Sequence, residues 1–461
     1  MKRHALRYPI KNAINSCWWY GHIFLKKWRF NAAIEPTTCF GQNARFRARR
    51  RWGYAVLLAG LLLWQGGFLF AAPRGDSTVM LQGFHWTSWK TASWWTTVKN
   101  KAGEISLAGI DLVWFPPSSD SLTEEGYLPR KLAVLDSKYG TAAQLSSAIS
   151  ALHGHNVRVI ADVVVNHRVG TKGWSDFTEP AWGPDSVTSD DEWGQGTGAA
   201  DTGKGVPFAR DIDHTQGYVR DSIKGWMKWL RDTMGYDGWR YDYARGYGAG
   251  YMLDYNRASA SVFAVAEIWD DLDLNNTDAH RLALYDWLNS VNGEIKVFDF
   301  TTKGILQQAA ASGEYWRLKD AYGRPSGLIG WRPANAVTFV DNHDTGPSPG
   351  AKLKENAWPF PADKIMQGYA YILTHPGIPC IYWPHLFDWG LKEEISSLIR
   401  LRRQAGITAS SGVYIDRAEN GLYAAVVDSK LAVSLGDKSW NPGSGWSPAA
   451  RGKGYTVWVK N

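Results

Sequence analysis

The strongest constraint on the fold is an alternation of short apolar runs with longer amphipathic segments, from about residue 78 to residue 404. Eight apolar runs predict strands at 79–84, 110–115, 157–165, 236–246, 262–267, 296–300, 336–340 and 378–382. Helical patterns begin near 93 and span roughly 141–153, 218–234, 278–291, 302–311, 361–373 and 391–403. Strands that alternate with helices predict a parallel sheet. Eight units favour a (β/α)8 TIM barrel over 78–404, because doubly wound sheets more often have five or six strands.

Two segments depart from a plain barrel. About fifty residues rich in Gly, Asp, Trp and Thr, at 168–217, follow the third run. A loop of that length is usually functional or a small subdomain. After residue 405 the helical patterns stop, and short alternating runs stand at 422–427, 431–435 and 455–459. These runs predict a C-terminal antiparallel β-sheet domain over 405–461.

The first 72 residues have the pattern of a targeting region. Residues 1–52 contain twelve of the 51 Lys and Arg residues but one of the 44 acids, so the remainder has a formal charge of about −4. This mildly acidic body argues against a nucleic-acid partner. The basic extension 1–53 precedes an apolar stretch at 54–72, as in a secretory signal peptide. We expect a secreted or periplasmic protein, or a single-pass membrane-anchored one if 54–72 stays uncleaved.

The three cysteines do not predict a disulfide. Cys17 and Cys39 lie in the N-terminal region that processing would remove. Cys380 lies in an apolar run, which predicts an inert buried thiol. An exported body with one cysteine has no internal disulfide. Something else must therefore cross-link the long loop 168–217.

Polar residues stand at the carboxyl ends of four predicted strands, where a core strand should stay apolar. The sequences are DVVVNH at 162–167, RYD at 240–242, AEIW at 266–269 and VDNHD at 340–344. In a (β/α)8 barrel the chemistry gathers at this end of the strands. A single strand-end acid is often a helix cap or an ion-pair partner. Four polar ends on barrel strands in chain order are hard to explain in that way.

Two of these acids suit the cleavage of a glycosidic bond, which needs a proton donor and a carboxylate that attacks or supports the anomeric centre. Asp242 follows Arg240 by two residues and lies on the same side of the strand, where the guanidinium favours an ionised nucleophile. Glu267 has apolar and aromatic sequence neighbours, which suit a proton donor with a raised pKa. An isolated Arg-x-Asp motif is more often a structural ion pair, but the other three motifs favour the catalytic interpretation.

These motifs resemble those of the α-amylase clan of glycoside hydrolases, and most closely those of the plant-type α-amylases. In full they read DVVVNH at 162–167, GWRYDYARG at 238–246, VAEIWD at 265–270 and FVDNHD at 339–344. Further matching stretches are QGFHW at 82–86, EGYLP at 125–129, VFDFTTKG at 297–304 and MQGYAYILTHPGIPCIYW at 366–383. The resemblance covers roughly residues 78–461, and its four ordered motifs make it specific.

The resemblance implies that Asp242 is the nucleophile, Glu267 the general acid/base and Asp344 the stabiliser of the transition state. It also implies six substrate-binding residues, which are Arg240, His167, His343, Tyr127, Trp269 and His85. Tyr127 would stack on the sugar at the cleavage point, and Trp269 would line the acceptor side.

The resemblance further implies a structural Ca²⁺ between the barrel and the loop 168–217. The implied ligands are oxygens of Asn166, Asp191, Asp201 and the backbone carbonyl of Gly246. Solvated surface charge is the alternative interpretation of Asp191. Plant-type enzymes carry adjacent tryptophans where this chain has Trp331 and Arg332, which puts an external starch-granule site in doubt.

The sequence as a whole predicts a monomeric, retaining, endo-acting α-amylase. Its substrates would be the α-1,4-glucosidic bonds of starch, glycogen or malto-oligosaccharides. A transglycosylase or an oligosaccharide-forming exo-amylase remains open, because the motifs do not separate these activities. A non-catalytic glucan-binding protein is the alternative of another class, and the intact acid trio argues against it. A metal-dependent hydrolase would need more clustered ligands than His167 and His343 supply.

Overall fold

Eight parallel strands close into a barrel in the computed structural model, which describes residues 77–170, 176–354 and 357–461. The strands β1 to β8 span Met80–Gln82, Leu112–Phe115, Arg158–Val163, Gly238–Tyr241, Phe263–Ala266, Lys296–Phe298, Ala336–Phe339 and Ile378–Tyr382. Each strand pairs with the next along the chain, and β8 pairs with β1. The predicted TIM barrel is therefore confirmed. Most strands are shorter than the predicted apolar runs, because each run also includes buried residues that lie beyond the hydrogen-bonded part of the strand.

Within the described residues, eight α-helices surround the barrel, one after each strand. The helices α1 to α8 span Trp94–Leu107, Ala142–Gly154, Gly217–Trp229, Ala249–Ser259, Thr277–Ser290, Phe300–Ser312, Ile365–Thr374 and Lys392–Gln404. The sequence pattern does not predict α4. Its buried side includes the polar residues Asn256 and Ser259 beside Met252 and Tyr255, so the apolar period of this segment is weak.

Local sequence signals set the starts of two helices. Thr141 precedes α2 and forms a capping box with Gln144, in which each side chain accepts a bond from the other's backbone N–H. Asp299 precedes α6 and caps it by accepting an N–H of the first turn at 2.8 Å. The same carboxylate accepts from the backbone N–H groups of Leu328 and Ile329 at 3.2 and 3.0 Å. Asp299 thus fixes α6, which begins directly after β6, against the segment before β7.

The register of β3, β4 and β5 brings the polar strand ends side by side. Asp162 of β3 pairs with Arg240 of β4, which pairs in turn with Val265 of β5. The close approach of β4 and β5 requires Gly238, because a Cβ there would lie 1.9 Å from the carbonyl oxygen of Phe263. The first residues after β4 and β5 are the two acids with predicted catalytic roles, so these acids start from adjacent positions.

A buried arginine helps to hold the long loop 168–217, which has no cysteine. Arg168 donates to the backbone carbonyls of Arg130, Thr178 and Pro180 at 2.5 to 2.9 Å. Its guanidinium also lies 4.6 Å from the centre of the Trp182 ring. Residues 167–168 pair with residues 210–211 in a short antiparallel ribbon. The start and the end of the loop therefore lie together at the carboxyl end of β3.

A five-stranded antiparallel sheet follows α8, as predicted. Its strands β9 to β13 span Val413–Glu419, Leu422–Val427, Leu431–Gly436, Trp446–Gly452 and Tyr455–Lys460, in the order β9-β10-β11-β13-β12. The sequence predicts the three inner strands but not the edge strands β9 and β12, whose many exposed residues weaken the apolar alternation. Nε2 of His375 lies 2.7 Å from the hydroxyl of Tyr423, which joins the barrel to the sheet.

The predicted extension 1–53 and the apolar segment 54–72 lie outside the described residues, as do Cys17 and Cys39. Cys380 is buried in β8, and burial raises the pKa of its thiol to about 12, as expected for an unreactive cysteine. Across the described part of the chain, no helix has the length and apolar character needed to span a membrane.

Candidate active site and metal centre

One guanidinium joins three carboxyl groups at the carboxyl ends of β3, β4 and β5. Nη1 of Arg240 donates to Oδ1 of Asp162 at 2.8 Å and to Oδ1 of Asp242 at 2.7 Å. Nη2 lies 2.7 Å from Oε1 of Glu267, in an ion pair without the alignment of a hydrogen bond. The Arg240 side chain is fully buried, and its guanidinium lies 4.8 Å from the centre of the Trp114 ring. A single buried cation thus connects three neighbouring strands.

The balance of charge in this cluster favours one protonated carboxyl group. Burial alone would lower the pKa of Arg240, but Asp162, Glu267 and Asp242 outweigh burial and raise this pKa well above its usual value. Burial raises the pKa of Asp162 and of Glu267 to about 7 against the opposing effect of Arg240. Three carboxyl groups therefore share one fixed positive charge, and a proton on one of them relieves the repulsion.

The hydrogen bonds favour Glu267 over Asp162 as the carboxyl group that holds this proton. Asp162 accepts from Arg240, from Nε1 of Trp114 at 3.1 Å and from the hydroxyl of Tyr127 at 2.8 Å. Donors of this kind stabilise a carboxylate. Glu267 accepts a longer bond, at 3.3 Å, from the backbone N–H after Asp242. Its ionised form is thus less well supported than that of Asp162.

The third predicted acid, Asp344, has a partner that the sequence does not indicate. Nζ of Lys354 lies 2.5 Å from Oδ1 of Asp344, and Nε2 of His343 lies 3.2 Å from Oδ2. Burial would raise the pKa of Asp344, but His343, Lys354 and Arg240 together lower it to about 2. Burial also lowers the pKa of His343 to about 3, so its ring is neutral at pH 7. Lys354 is therefore the positive charge in direct contact with Asp344 at that pH.

Stacked rings form one wall of the candidate site. Tyr127 stacks on Trp86 with ring centres 5.9 Å apart and on His343 with centres 5.2 Å apart. The ammonium of Lys354 lies 3.0 Å from the centre of the Trp86 ring. Nε2 of His167 lies 2.8 Å from the carbonyl oxygen of Tyr127. This wall offers the flat aromatic surface on which the apolar face of a sugar can stack.

The two remaining predicted substrate-binding residues are His85 and Trp269. His85 is buried, its Nδ1 lies 3.1 Å from the hydroxyl of Thr87, and burial lowers its pKa to about 4. Trp269 stacks on Phe300 with ring centres 5.1 Å apart. The rings of Trp269 and Phe300 line a cavity of about 570 Å³ that Glu267 also lines.

Carboxylates of the long loop converge around Gly205. A Cβ on Gly205 would lie 2.7 Å from Oδ2 of Asp211, 3.2 Å from Oε1 of Glu192 and 3.6 Å from Oδ2 of Asp201. Oδ2 of Asp201 is buried without a hydrogen-bond partner in the described chain. Burial raises the pKa of Asp211 to about 7, and the charges of Asp201, Glu192 and Asp191 add to this effect. A hard divalent cation fits this set of oxygens, because it would neutralise the repulsion and give Asp201 a partner.

Two other predicted ligands, Asn166 and Gly246, lie against each other, and Asn166 contacts one of these carboxylates. Nδ2 of Asn166 donates to Oδ1 of Asp211 at 3.2 Å. Oδ1 of Asn166 lies only 1.9 Å from the point that a Cβ on Gly246 would occupy, so the approach requires glycine. A Cβ on Gly203 would lie 2.4 Å from the backbone of Gly246, which shows how tightly the loop packs on the turn after β4.

The fourth predicted ligand, Asp191, already has partners. Nη1 of Arg210 donates to Oδ2 of Asp191 at 2.6 Å, and the backbone N–H of Asp211 donates to Oδ1 at 3.1 Å. One ligand oxygen each from Asp191, Glu192 and Asp211 nevertheless lies within 4.8 Å of the others. The structure therefore allows Asp191 as a ligand and adds two acids near it.

Sequence reasoning missed Lys354, Asp211 and Glu192. Lys354 belongs to an irregular segment after β7 that has no period or motif. The acidic composition of the loop 168–217 predicts cation binding in general, but it does not show which acids meet in space. The repeated Gly residues at 203 and 205 are a signal that the backbone comes close to other groups there.

A (β/α)8 barrel with two adjacent carboxyl groups at its strand ends has the arrangement that a glycoside hydrolase requires. Residues 95–191 match the family described as the alpha amylase catalytic domain, and residues 404–459 match the alpha-amylase C-terminal beta-sheet domain. Probable alpha-amylase 2 of Arabidopsis thaliana is 43% identical over 403 residues, which cover 84% of this chain and 95% of that protein. The chain belongs to the α-amylase family, and it is a hydrolase of α-1,4-glucans.

Two further relatives show how this family varies. Chloroplastic alpha-amylase 3 of Arabidopsis thaliana is 41% identical over 395 residues, which cover 82% of this chain and 44% of that protein. Glucan 1,4-alpha-maltotetraohydrolase of Stutzerimonas stutzeri is 33% identical over 404 residues, which cover 80% of this chain and 70% of that protein. Both matches are consistent with the predicted family resemblance, which is confirmed.

Proposed function

We propose that the chain is a monomeric endo-acting α-amylase that hydrolyses starch, glycogen and malto-oligosaccharides with retention of configuration at the anomeric carbon. The observation that supports this most directly is the shared guanidinium of Arg240, which contacts Asp242 and Glu267 through its two terminal nitrogens. This arrangement holds an ionised and a protonated carboxyl group close together. A retaining glycosidase needs such a pair, at a separation of about 5–5.5 Å.

The proposed reaction has two steps. In the first, an oxygen of Asp242 attacks the anomeric carbon while the proton of Glu267 passes to the departing glucan oxygen. A covalent glycosyl–enzyme ester then links the sugar to Asp242. In the second step Glu267, now ionised, removes a proton from water, and the water oxygen attacks the same carbon and releases Asp242. Both residues end in their starting protonation states.

Asp344 and its partners would bind the sugar next to the reacting carbon. A carboxylate held ionised by Lys354 can accept hydrogen bonds from sugar hydroxyls, and these bonds can tighten as the ring distorts. The stacked wall of Tyr127 and Trp86 would support the apolar face of the same sugar. Lys354 thus joins the acid to the wall through one side chain.

A retaining exo-amylase is the second candidate function. The relative from Stutzerimonas stutzeri is described as a maltotetraohydrolase. The two modes differ in the early products of soluble starch, because endo cleavage gives a mixture of chain lengths and exo cleavage gives one short product. A chromatographic time course of these products distinguishes the two modes.

We also propose that a Ca²⁺ ion binds where the loop 168–217 meets the barrel. Oxygens of Asp201, Asp211, Glu192 and Asn166 and the carbonyl of Gly246 would hold the ion, with Asp191 as a further ligand. The support for this site is the unpartnered buried oxygen of Asp201 and the three carboxylate oxygens around Gly205. The loop has no cysteine and therefore no disulfide, and the ion would supply a cross-link in its place.

We infer that the apolar segment 54–72 directs export, with a retained membrane anchor as the alternative. The basic extension before it fits a targeting region. One Arabidopsis relative is described as chloroplastic, which makes organelle import a further alternative. Cell fractionation and sequencing of the mature N-terminus separate export, anchoring and organelle import.

The roles of the two acids are tested by isosteric substitution. Asp242→Asn removes the nucleophile and Glu267→Gln removes the proton donor, so each should lower kcat on soluble starch by about 10²-fold or more. Asp254→Asn, on the surface of α4, is a matched control for the loss of one carboxylate and should stay near wild type. Circular dichroism confirms that each variant is folded. A folded variant of either acid that retains a tenth of wild-type kcat would refute its assigned role.

The pH profile tests the protonation of Glu267. Because the donor must carry its proton, kcat/KM should fall as pH rises through about 7, the pKa that burial gives this residue. The negative charge of Asp344 helps to raise the pKa of Glu267. Lys354→Met removes the cation that partly offsets this negative charge, so the pKa of Glu267 should rise further. The alkaline limb should therefore move to higher pH by a few tenths of a unit. Lys352→Met, at an exposed position on the same segment, should leave the limb in place. An alkaline limb that is absent up to pH 9 would contradict this account.

The calcium proposal is tested by thermal unfolding. At free Ca²⁺ of about 100 times its Kd, the ion should stabilise the fold by roughly 2.7 kcal/mol. A chelator should therefore lower the Tm and the activity together, and added Ca²⁺ should restore both. Asp201→Ala should lower the Tm in a similar way and make it insensitive to chelator, whereas Asp185→Asn, on the same loop, should respond as wild type does. A wild-type Tm that changes with neither chelator nor Ca²⁺ would contradict the site.

A further inference from the structure

A second cavity adjoins the one that Glu267 lines. The first cavity, of about 570 Å³, is bounded by Glu267, Trp269, Phe300, Leu272 and Leu274, among other residues. The second, of about 380 Å³, is also bounded by Leu274. The residues that bound only the second cavity include Asn275, Asn276, Ile305, Trp316, Arg317 and Lys319. Leu274 therefore forms a shared border between the two cavities.

Helix α6 contributes a residue to the lining of each of the two cavities. Phe300, at its first position, lines the first cavity, and Ile305 lines the second. Five residues of helix span about 7.5 Å, so these two lining positions are about 7.5 Å apart along the axis of α6. Between these residues, Gly304 lets the cavity walls close on the helix, because a Cβ there would lie 2.3 Å from Leu272 and 2.4 Å from Trp358.

The border at Leu274 is held in place from the side of the second cavity. Nη1 of Arg317 donates to the carbonyl oxygen of Leu274 at 3.2 Å, and its Nε donates to Glu314 at 2.6 Å. The Arg317 guanidinium also lies 4.5 Å from the centre of the Trp316 ring. Arg317 thus connects the exposed tryptophan to the rim of the first cavity.

The second cavity combines an exposed ring with polar side chains that have no hydrogen-bond partner among the described residues. Trp316 is 47% exposed, which is unusual for so large an apolar side chain. The amides of Asn275 and Asn276 and the ammonium of Lys319 stand around the same cavity. An aromatic face beside a few amide and ammonium groups suits a ligand with one apolar face and many hydroxyls, which is the chemistry of a glucan.

We propose that the two cavities form one groove and that Trp316 is a distal sugar-binding platform for the leaving-group side of an α-glucan chain. We assign the groove to the leaving-group side because Glu267, the group that protonates the leaving oxygen, lines the first cavity. Asp242 and Asp344 do not border this cavity. This inference rests on the proposed endo-amylase function and deepens it. The groove would bind chains too long for the first cavity alone, so it would favour long substrates over short ones.

The experiment compares kcat/KM on a long malto-oligosaccharide with kcat/KM on a short one that fits the first cavity. Trp316→Ala should lower the long-to-short ratio by about three- to tenfold, which is the range expected for one stacking contact. Trp316→Tyr retains a flat ring and should keep most of the ratio. Tyr414→Ala, which removes another exposed ring on β9, is the control and should leave the ratio unchanged.

The cleavage position gives a second readout in the same samples. With a long substrate labelled at its reducing end, Trp316→Ala should make cleavage far from the label rarer, because the leaving fragment loses its distal contact. An unchanged long-to-short ratio would overturn the proposal. So would a lower ratio without a change in cleavage position, because that result describes a separate surface site. A wild-type enzyme that hydrolyses neither substrate would overturn the proposed function and this inference with it.

Discussion

The buried guanidinium of Arg240 is the interaction on which the rest of the site depends. It contacts Asp162, Asp242 and Glu267, which come from three neighbouring strands. A buried cation without these partners would be very costly, and the carboxylates without the cation would repel one another. Because one positive charge cannot balance three negative ones, one carboxyl group is better protonated. The barrel thereby favours an ionised and a protonated carboxyl group at the same place.

The long loop and the catalytic cluster are coupled through adjacent residues. Asn166 contacts Asp211 of the loop, and the next residue, His167, contacts the backbone of Tyr127 on the stacked wall. Gly246 approaches Asn166 from the turn after β4, four residues beyond Asp242. A cation in the loop would therefore fix the segments that carry the reactive groups. Loop stability and catalytic geometry should respond together, in keeping with one network of packed contacts.

The sequence is sufficient to predict the barrel, since apolar runs and amphipathic helices have clear periods in β1 to β8 and in seven helices. It is also sufficient to predict that Arg240, Asp242 and Glu267 meet, because strand ends of a closed barrel converge. It fails for α4, which buries Asn256 and Ser259, and for the edge strands β9 and β12, which are largely exposed. It also fails for Lys354, which lies in an irregular segment, and for Asp211, which lies in a two-residue ribbon inside a long loop. No local period reports where such short segments go.

The anomeric form of the first products tests the central claim most directly. If Arg240 holds a nucleophile and a proton donor at the spacing of a retaining enzyme, two successive displacements at the anomeric carbon should return the α configuration. Proton NMR of a malto-oligosaccharide digest, recorded before mutarotation equilibrates the new reducing ends, resolves the two anomers. We expect a large initial excess of the α-anomer. An initial excess of the β-anomer would show a single displacement by water and would contradict it.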